Sequence, residues 1–150
     1  GNAIRLSPDQ TLEVKGPVTH DRWITTNDII EQVSDSQFLY LGRIDNVINS
    51  GGIKVNPERL ESQLSETLQS LGYNEFIISS TQDSSLGELI ILLIEGEATS
   101  SEKTILQSIA DYAGLDQHTK PRRVYFIPSF VRTENGKIRR KETSRLITSP

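Results

Sequence analysis

Short β-prone runs separated by polar turns occupy the first forty positions, and a helical spacing of leucines appears only after residue 56. Ala3–Leu6 and Thr11–Lys15 read as short strands joined by Ser7-Pro8-Asp9-Gln10, whose Pro and Asp form turns, and Gly16-Pro17 closes the second strand. Residues 23–26 and 29–33 are β-prone, 34–37 form a polar turn, and 38–41 give another strand. Residues 47–49 and Ile53–Val55 flank Ser50-Gly51-Gly52, the pattern of a two-stranded hairpin. Leu60, Leu64, Leu68 and Leu71 then recur at helical spacing. Asn56 stands where a cap is needed, Pro57 suits the first helical position, Glu58 favours the positive end of the helix dipole, and Gly72 marks the stop. Residues 76–78 and 88–94 predict strands around a turn at 83–87. Ser100 or Ser101 opens a second helix with Ile105, Leu106, Ile109 and Ala113 facing inward and Gly114 ending it. Pro121 leads into a last strand, 122–127. From residue 47 the order is strand, strand, helix, strand, strand, helix, strand. This predicts an α+β fold, a compact sheet with helices on one face, preceded by a β-rich stretch.

At 150 residues the chain is long enough for a real core. Its longest apolar run, Leu89-Ile90-Ile91-Leu92-Leu93-Ile94, has strand length and falls far short of the roughly 20 residues a membrane helix needs. A soluble protein with no membrane partner is expected. The absence of Cys excludes disulfides, thiolate metal sites and a cysteine nucleophile, and fits a reducing, cytoplasmic setting. There is no Met either, so the chain is expected to begin inside something longer. Net charge is −4, unevenly spread: from Lys120 onward nine Lys/Arg face two Glu, a tail of +7 against −11 upstream. Such a tail suits nucleic acid, a rim around a phosphate site, or a solvated face.

One stretch concentrates special positions. Gly42-Arg43-Ile44-Asp45-Asn46-Val47-Ile48-Asn49-Ser50-Gly51-Gly52-Ile53-Lys54-Val55-Asn56-Pro57-Glu58-Arg59-Leu60-Glu61 combines an Arg-x-Asp pair, a Gly-Gly turn, a lone lysine and a helix start. It resembles the hinge motif of adenylate-forming enzymes, the superfamily of acyl-CoA synthetases, adenylation domains and luciferases. Upstream, Trp23-Ile24-Thr25-Thr26-Asn27-Asp28 is similar to that family's Tyr/Trp-x-x-Thr-Gly-Asp segment, and Thr11-Leu12-Glu13-Val14-Lys15-Gly16-Pro17 to its Gly-Glu-Leu-x-Val-x-Gly-Pro segment. Downstream, Asn135-Gly136-Lys137-Ile138-Arg139-Arg140 resembles the terminal Asn-Gly-Lys segment.

The resemblance implies that residues 1–44 are the trailing β-rich part of a large N-terminal domain, and that 45–150 form the mobile C-terminal domain. It implies an ATP-dependent acyl-CoA ligase working in two steps, with ATP and Mg held mainly by the large domain and CoA as co-substrate. Partners would be that domain, a carboxylic acid and CoA. This stretch alone is expected to be inactive, with a dimer through exposed N-terminal strands as one outcome. The unembellished small domain looks most like the o-succinylbenzoate–CoA ligases of menaquinone biosynthesis.

Site roles follow by the same resemblance. Lys137 is the catalytic residue, reaching the carboxylate and α-phosphate during adenylation; a mobile ammonium suits negative charge in transit. Asp28 and Arg43 bind nucleotide, Asp28 accepting from the ribose hydroxyls. Asn27 replaces the family's Gly and is expected to keep its backbone conformation, since Asn tolerates positive φ. Asp45 is the hinge. Gly51, Gly52 and Lys54 meet pantetheine. Glu61 matches a family glutamate without an assigned role.

Two other classes compete. An RNA-binding reading would use the basic tail with Tyr125, Phe126 and Phe130, but the strands lack the aromatic-Gly-aromatic pattern of RNA-recognition sheets, and no nucleic-acid partner is expected. A non-catalytic module that docks an acyl carrier or CoA is the second. His20 and His118 offer no metal-ligand spacing, and no phosphate-loop, dinucleotide or nucleophile-elbow motif occurs.

Overall fold

The computed structural model describes residues 1–112 and 114–147. It divides into two compact units, Gly1–Val47 and Ile48–Pro150.

The first unit is a four-stranded antiparallel meander: β1 (Ala3–Leu6), β2 (Thr11–Lys15), β3 (Ile24–Ser34) and β4 (Gln37–Arg43), paired in that order. The two β-prone runs at 23–26 and 29–33 are one strand. Pairing with β4 carries it through Asn27 and Asp28, with a register shift between Ile29 and Ile30 that takes up the irregularity. Asn27 is therefore extended and does not adopt positive φ, contrary to the expectation for it. Few side chains are buried here: Ile29, Ile30, Leu41 and Thr11 are, whereas Ile4 is 47% exposed and Ile24, Val33, Leu39 and Tyr40 are likewise open. So little buried apolar area gives little local stability. In the 150-residue chain, amides of this meander should exchange at least about tenfold faster than those of the second unit's central strand. Uniform protection in a monodisperse monomer would contradict this.

The second unit holds β5 (Ile48–Ser50), β6 (Ile53–Val55), α1 (Pro57–Ser70), β7 (Phe76–Asp83), β8 (Gly87–Glu95), α2 (Glu102–Ala110), β9 (Arg123–Ile127) and α3 (Arg140–Arg145). The sheet order is β6-β5-β8-β7, with β9 pairing parallel to β8 and the remaining neighbours antiparallel. The expected α+β class and the helices α1 and α2 are present. Leu60, Leu64 and Leu68 are buried as one stripe, and Gly72, at φ 91°, ends the helix with Tyr73 N–H donating to Leu68 O at 2.9 Å. Asn56 occupies the cap position, yet its side chain makes no capping bond. Ser101, rather than Ser100, caps α2, accepting from Thr104 N–H at 3.1 Å. Ala113, expected on its inner face, lies outside the described residues.

β8 is buried on both faces, which explains its unbroken apolar run. Ile90, Leu92 and Ile94 join the stripes of α1 and α2 in one cluster, while Ile91 and Leu93 join Ile77, Ile127 and Phe130 in another. The second cluster corrects the one-faced arrangement: residues after Ile127, with Ile138 and Ile147 packed against it, cover the other face. The helix α3 there was not expected. It has no apolar stripe, and its single buried residue is Thr143, whose hydroxyl oxygen accepts from Val131 N–H at 3.1 Å.

Candidate active-site elements

In the first unit, antiparallel pairing sets Asp28 directly opposite Arg43, fifteen residues later. Arg43 Nη1 donates to Asp28 Oδ1 at 3.1 Å, and its Nε lies 3.6 Å from Asp45 Oδ1. Asp45 sits in a short 3-10 turn, Ile44–Asn46, immediately after β4. The guanidinium thus bridges two carboxylates, and Asp28 holds the Arg43 pKa above its usual value. All three side chains are substantially exposed, so the bridge contributes little stability and leaves them accessible. Among the described residues, Asp28 Oδ2 has no hydrogen-bond partner.

In the second unit, Ser50 pairs with Ile53 across Gly51 and Gly52, at φ 59° and 82°. Two consecutive positive φ angles define the tight turn whose twist matches a hairpin, and only glycine adopts them without strain. Neither glycine carries anything that would cover the hairpin tip, and Gly52 has no heavy atom within 4 Å of where a Cβ would stand. Gly51 N–H donates to Leu86 O at 2.8 Å, which ties the tip to the β7–β8 turn. Lys54 is exposed on β6, at the mouth of a groove of about 240 Å³ shared with Arg59, Gln63 and Asp116.

Lys137 lies in a second loop. Arg132 and Ile138 form an isolated antiparallel bridge at its base, Thr133 N–H donates to Lys137 O at 2.8 Å, and Gly136, at φ 85°, turns the chain. Lys137 N–H donates to Thr133 Oγ1 at 3.2 Å. Its ammonium is exposed and has no hydrogen bond or ion pair among the described residues. Arg132, by contrast, meets both oxygens of Glu95, with Nη2 to Oε1 at 3.0 Å. Arg132 holds the Glu95 carboxylate below its ordinary value of 4.5, against burial, and Phe130 N–H adds to the lowering. A depressed carboxylate stabilises the fold fully above its unfolded pKa, and that contribution fades as pH falls through the folded value.

The hairpin and the Lys137 loop are anchored at opposite ends of one strand. Ser50 pairs with Gly87, the first residue of β8, whereas Arg132 grips Glu95, the last. At about 3.3 Å per residue those ends stand on the order of 25 Å apart.

Among the ion pairs that sequence reasoning missed, two flank the Lys137 loop. Arg132–Glu95 is one; the other joins Arg140 to Glu61, both oxygens engaged, with Nη2 to Oε1 at 2.8 Å. Arg140, part of the basic tail in the sequence, is partly buried, its side chain 21% exposed. Glu61 gains a role too: it accepts from Ile78 N–H at 2.8 Å while Arg140 donates to Ile78 O at 3.2 Å, so the pair occupies the outward backbone groups of edge strand β7. The only hint in the sequence is a glutamate bordering the leucine stripe of α1. Of the three aromatics that an RNA-binding reading would use, Phe130 is 4% exposed, Phe126 packs against the cluster with α1 and α2, and Tyr125 is partly buried. Among the described residues no group of three or more His, Cys, Asp or Glu is placed to hold a metal ion. No described helix is long and apolar enough to cross a membrane.

No family model matches the sequence. The chain is 30% identical over 127 residues to 2-hydroxy-7-methoxy-5-methyl-1-naphthoate–CoA ligase of Streptomyces carzinostaticus, covering 82% of this chain and 22% of that protein. It spans about a quarter or less of the curated relatives it matches, from 13% to 26% of their length. Among solved structures, an acyl-CoA synthetase (AMP-forming)/AMP-acid ligase II-like protein of Dyadobacter fermentans superposes with a TM-score of 0.63 at 27% identity, covering 99% of this chain and 42% of that one. The o-succinylbenzoate CoA synthetase of Bacillus subtilis, solved with its acyl-adenylate intermediate, superposes with a TM-score of 0.79 at 18% identity, covering 99% of this chain and 34% of that one. The fold matches the C-terminal domain of AMP-forming ligases.

Proposed function

We propose that this chain, which its relatives and structural neighbours support as a member of the adenylate-forming acyl-CoA ligase superfamily, is the C-terminal part of an AMP-forming acyl-CoA ligase. The observation that carries the reading is the placement of the two candidate loops at opposite ends of β8. Loops held that far apart on a rigid strand suit two successive visits to one site on a large domain, one for each half-reaction.

In the first half-reaction a carboxylate oxygen attacks the α-phosphate of ATP and pyrophosphate leaves. The exposed Lys137 ammonium balances charge between those two groups. Asp28, oriented by Arg43 through one oxygen, offers the other to the ribose hydroxyls. The unit containing Lys137 then turns about Asp45. In the second half-reaction the CoA thiol attacks the acyl carbonyl and AMP departs, with the bare tip at Gly51 and Gly52 and the Lys54 ammonium lining the approach of pantetheine. Magnesium would arrive with the nucleotide and be held by the large domain. The likeness to o-succinylbenzoate CoA synthetase makes o-succinylbenzoate the first acid to test, and menaquinone biosynthesis the setting it would imply.

Gly52→Val tests the hairpin. A Cβ at residue 52 meets no heavy atom within 4 Å, so the main effect of a β-branched residue at φ 82° comes from the turn, where a left-handed conformation costs about 1–2 kcal/mol. In the full-length ligase, capture of pre-made acyl-adenylate by CoA should fall about tenfold for that strain, with acid-dependent pyrophosphate exchange retained. Loss of exchange instead would reject the assignment. The non-catalytic docking reading gives the exposed Lys137 ammonium no role in either half-reaction.

A further inference from the structure

The tip of the Lys137 loop has no packing of its own: Glu134, Asn135, Gly136 and Lys137 are all exposed. Yet the chain on either side is fixed by a two-pronged arginine–carboxylate contact. Five residues before Lys137, Arg132 grips Glu95 at the end of β8, and its Nη2 also lies 3.5 Å from Glu75. Glu95 Oε2 accepts from Phe130 N–H at 2.6 Å as well, so one carboxylate holds both a side chain and the backbone of the segment that leads into the loop. Three residues after Lys137, Arg140 grips Glu61 on α1, and the same pair seizes both backbone groups of Ile78. The loop is therefore suspended between two forks seated on a strand and a helix of the core.

We infer that Arg132–Glu95 and Arg140–Glu61 are positioning pairs that aim the Lys137 ammonium, and so set the rate of adenylation without touching substrate. A planar guanidinium bonded twice to a carboxylate fixes angle as well as distance, which a single ammonium contact does not. Aim matters because a displacement of about 1 Å at a reacting centre costs up to about a hundredfold in rate. The hairpin that serves CoA capture is attached at the other end of β8, so loosening the forks leaves it in place. This inference rests on the ligase reading above.

Arg132→Lys is the discriminating variant: it keeps the charge and loses the fork. In the full-length ligase we expect pyrophosphate exchange to fall about tenfold, with the acid KM unchanged and CoA capture of pre-made acyl-adenylate retained. Glu61→Gln should give the same split. A merely structural role would lower both half-reactions together with thermal stability, or neither, and either result overturns the inference. In the 150-residue chain the same variant should speed amide exchange at Gly136 and Lys137 while leaving β8 protected; unchanged exchange at both amides likewise overturns it. Lys137→Ala is run alongside. If it loses exchange while Arg132→Lys does not, the ligase reading survives and the positioning role fails; if Lys137→Ala keeps exchange, the reading fails and the positioning role with it.

Discussion

On the proposed ligase reading, Lys137→Ala in the full-length protein should reduce acid-dependent pyrophosphate exchange about 10²–10³-fold, the usual loss when one preorganised charge-stabilising donor is removed from an active site. The loss should appear in kcat more than in the KM for acid, because charge builds on the transferring groups in the transition state. Among the described residues the ammonium has no intramolecular partner, so removing it leaves no buried group stranded and should not unfold the domain. Thermal stability within the error of wild type, measured on the same preparation, separates this from a folding defect. Lys141→Ala, a charge deletion in the same basic tail, is the control and should leave exchange unchanged. Equal effects of the two would reduce Lys137 to one more tail lysine.

Leu92→Ala should cost the second unit about 2–5 kcal/mol of stability, the range for removing a large aliphatic side chain from a close-packed core. Leu92 is 0% exposed and sits on the central strand, in the cluster that includes Leu64, Leu68, Ile105 and Ile109. Because β8 also presents Ile91 and Leu93 to the opposite face, neither side can collapse freely into the gap, which favours the upper part of that range. Urea denaturation of the 150-residue chain, followed by a probe in the second unit, measures it. Ile4→Ala, at a site 47% exposed in the first unit, should shift the midpoint little. A loss below about 1 kcal/mol for Leu92→Ala would mean that the two clusters are looser than described.

The helix α1, the Gly-Gly hairpin and the β7–β8 pair were legible because each rests on local chemistry: leucines at one helical spacing, two glycines where φ must be positive, a continuous apolar run. The helix α3 was not, since Arg140–Arg145 carries no apolar period and is held by Thr143 and by the Arg140–Glu61 pair, partners that are remote in sequence. The split at Asn27-Asp28 also misled, because polar residues interrupt the β pattern there while cross-strand pairing with β4 carries the strand on. The individual candidates Asp28, Arg43, Asp45, Gly51, Gly52, Lys54 and Lys137 could be named from motif resemblance. Their grouping could not: the strand register brings Asp28 to Arg43, and the sheet topology separates the hairpin from the Lys137 loop. No local pattern carries either fact.

The most direct measurement compares Lys137→Ala and Gly52→Val side by side as the ratio of pyrophosphate exchange to CoA capture of pre-made acyl-adenylate. If the two ends of β8 serve different half-reactions, the ratio falls about 10²–10³-fold in the first variant and rises about tenfold in the second. A ratio that stays at the wild-type value in both, or moves the same way in both, would contradict the two-ended assignment.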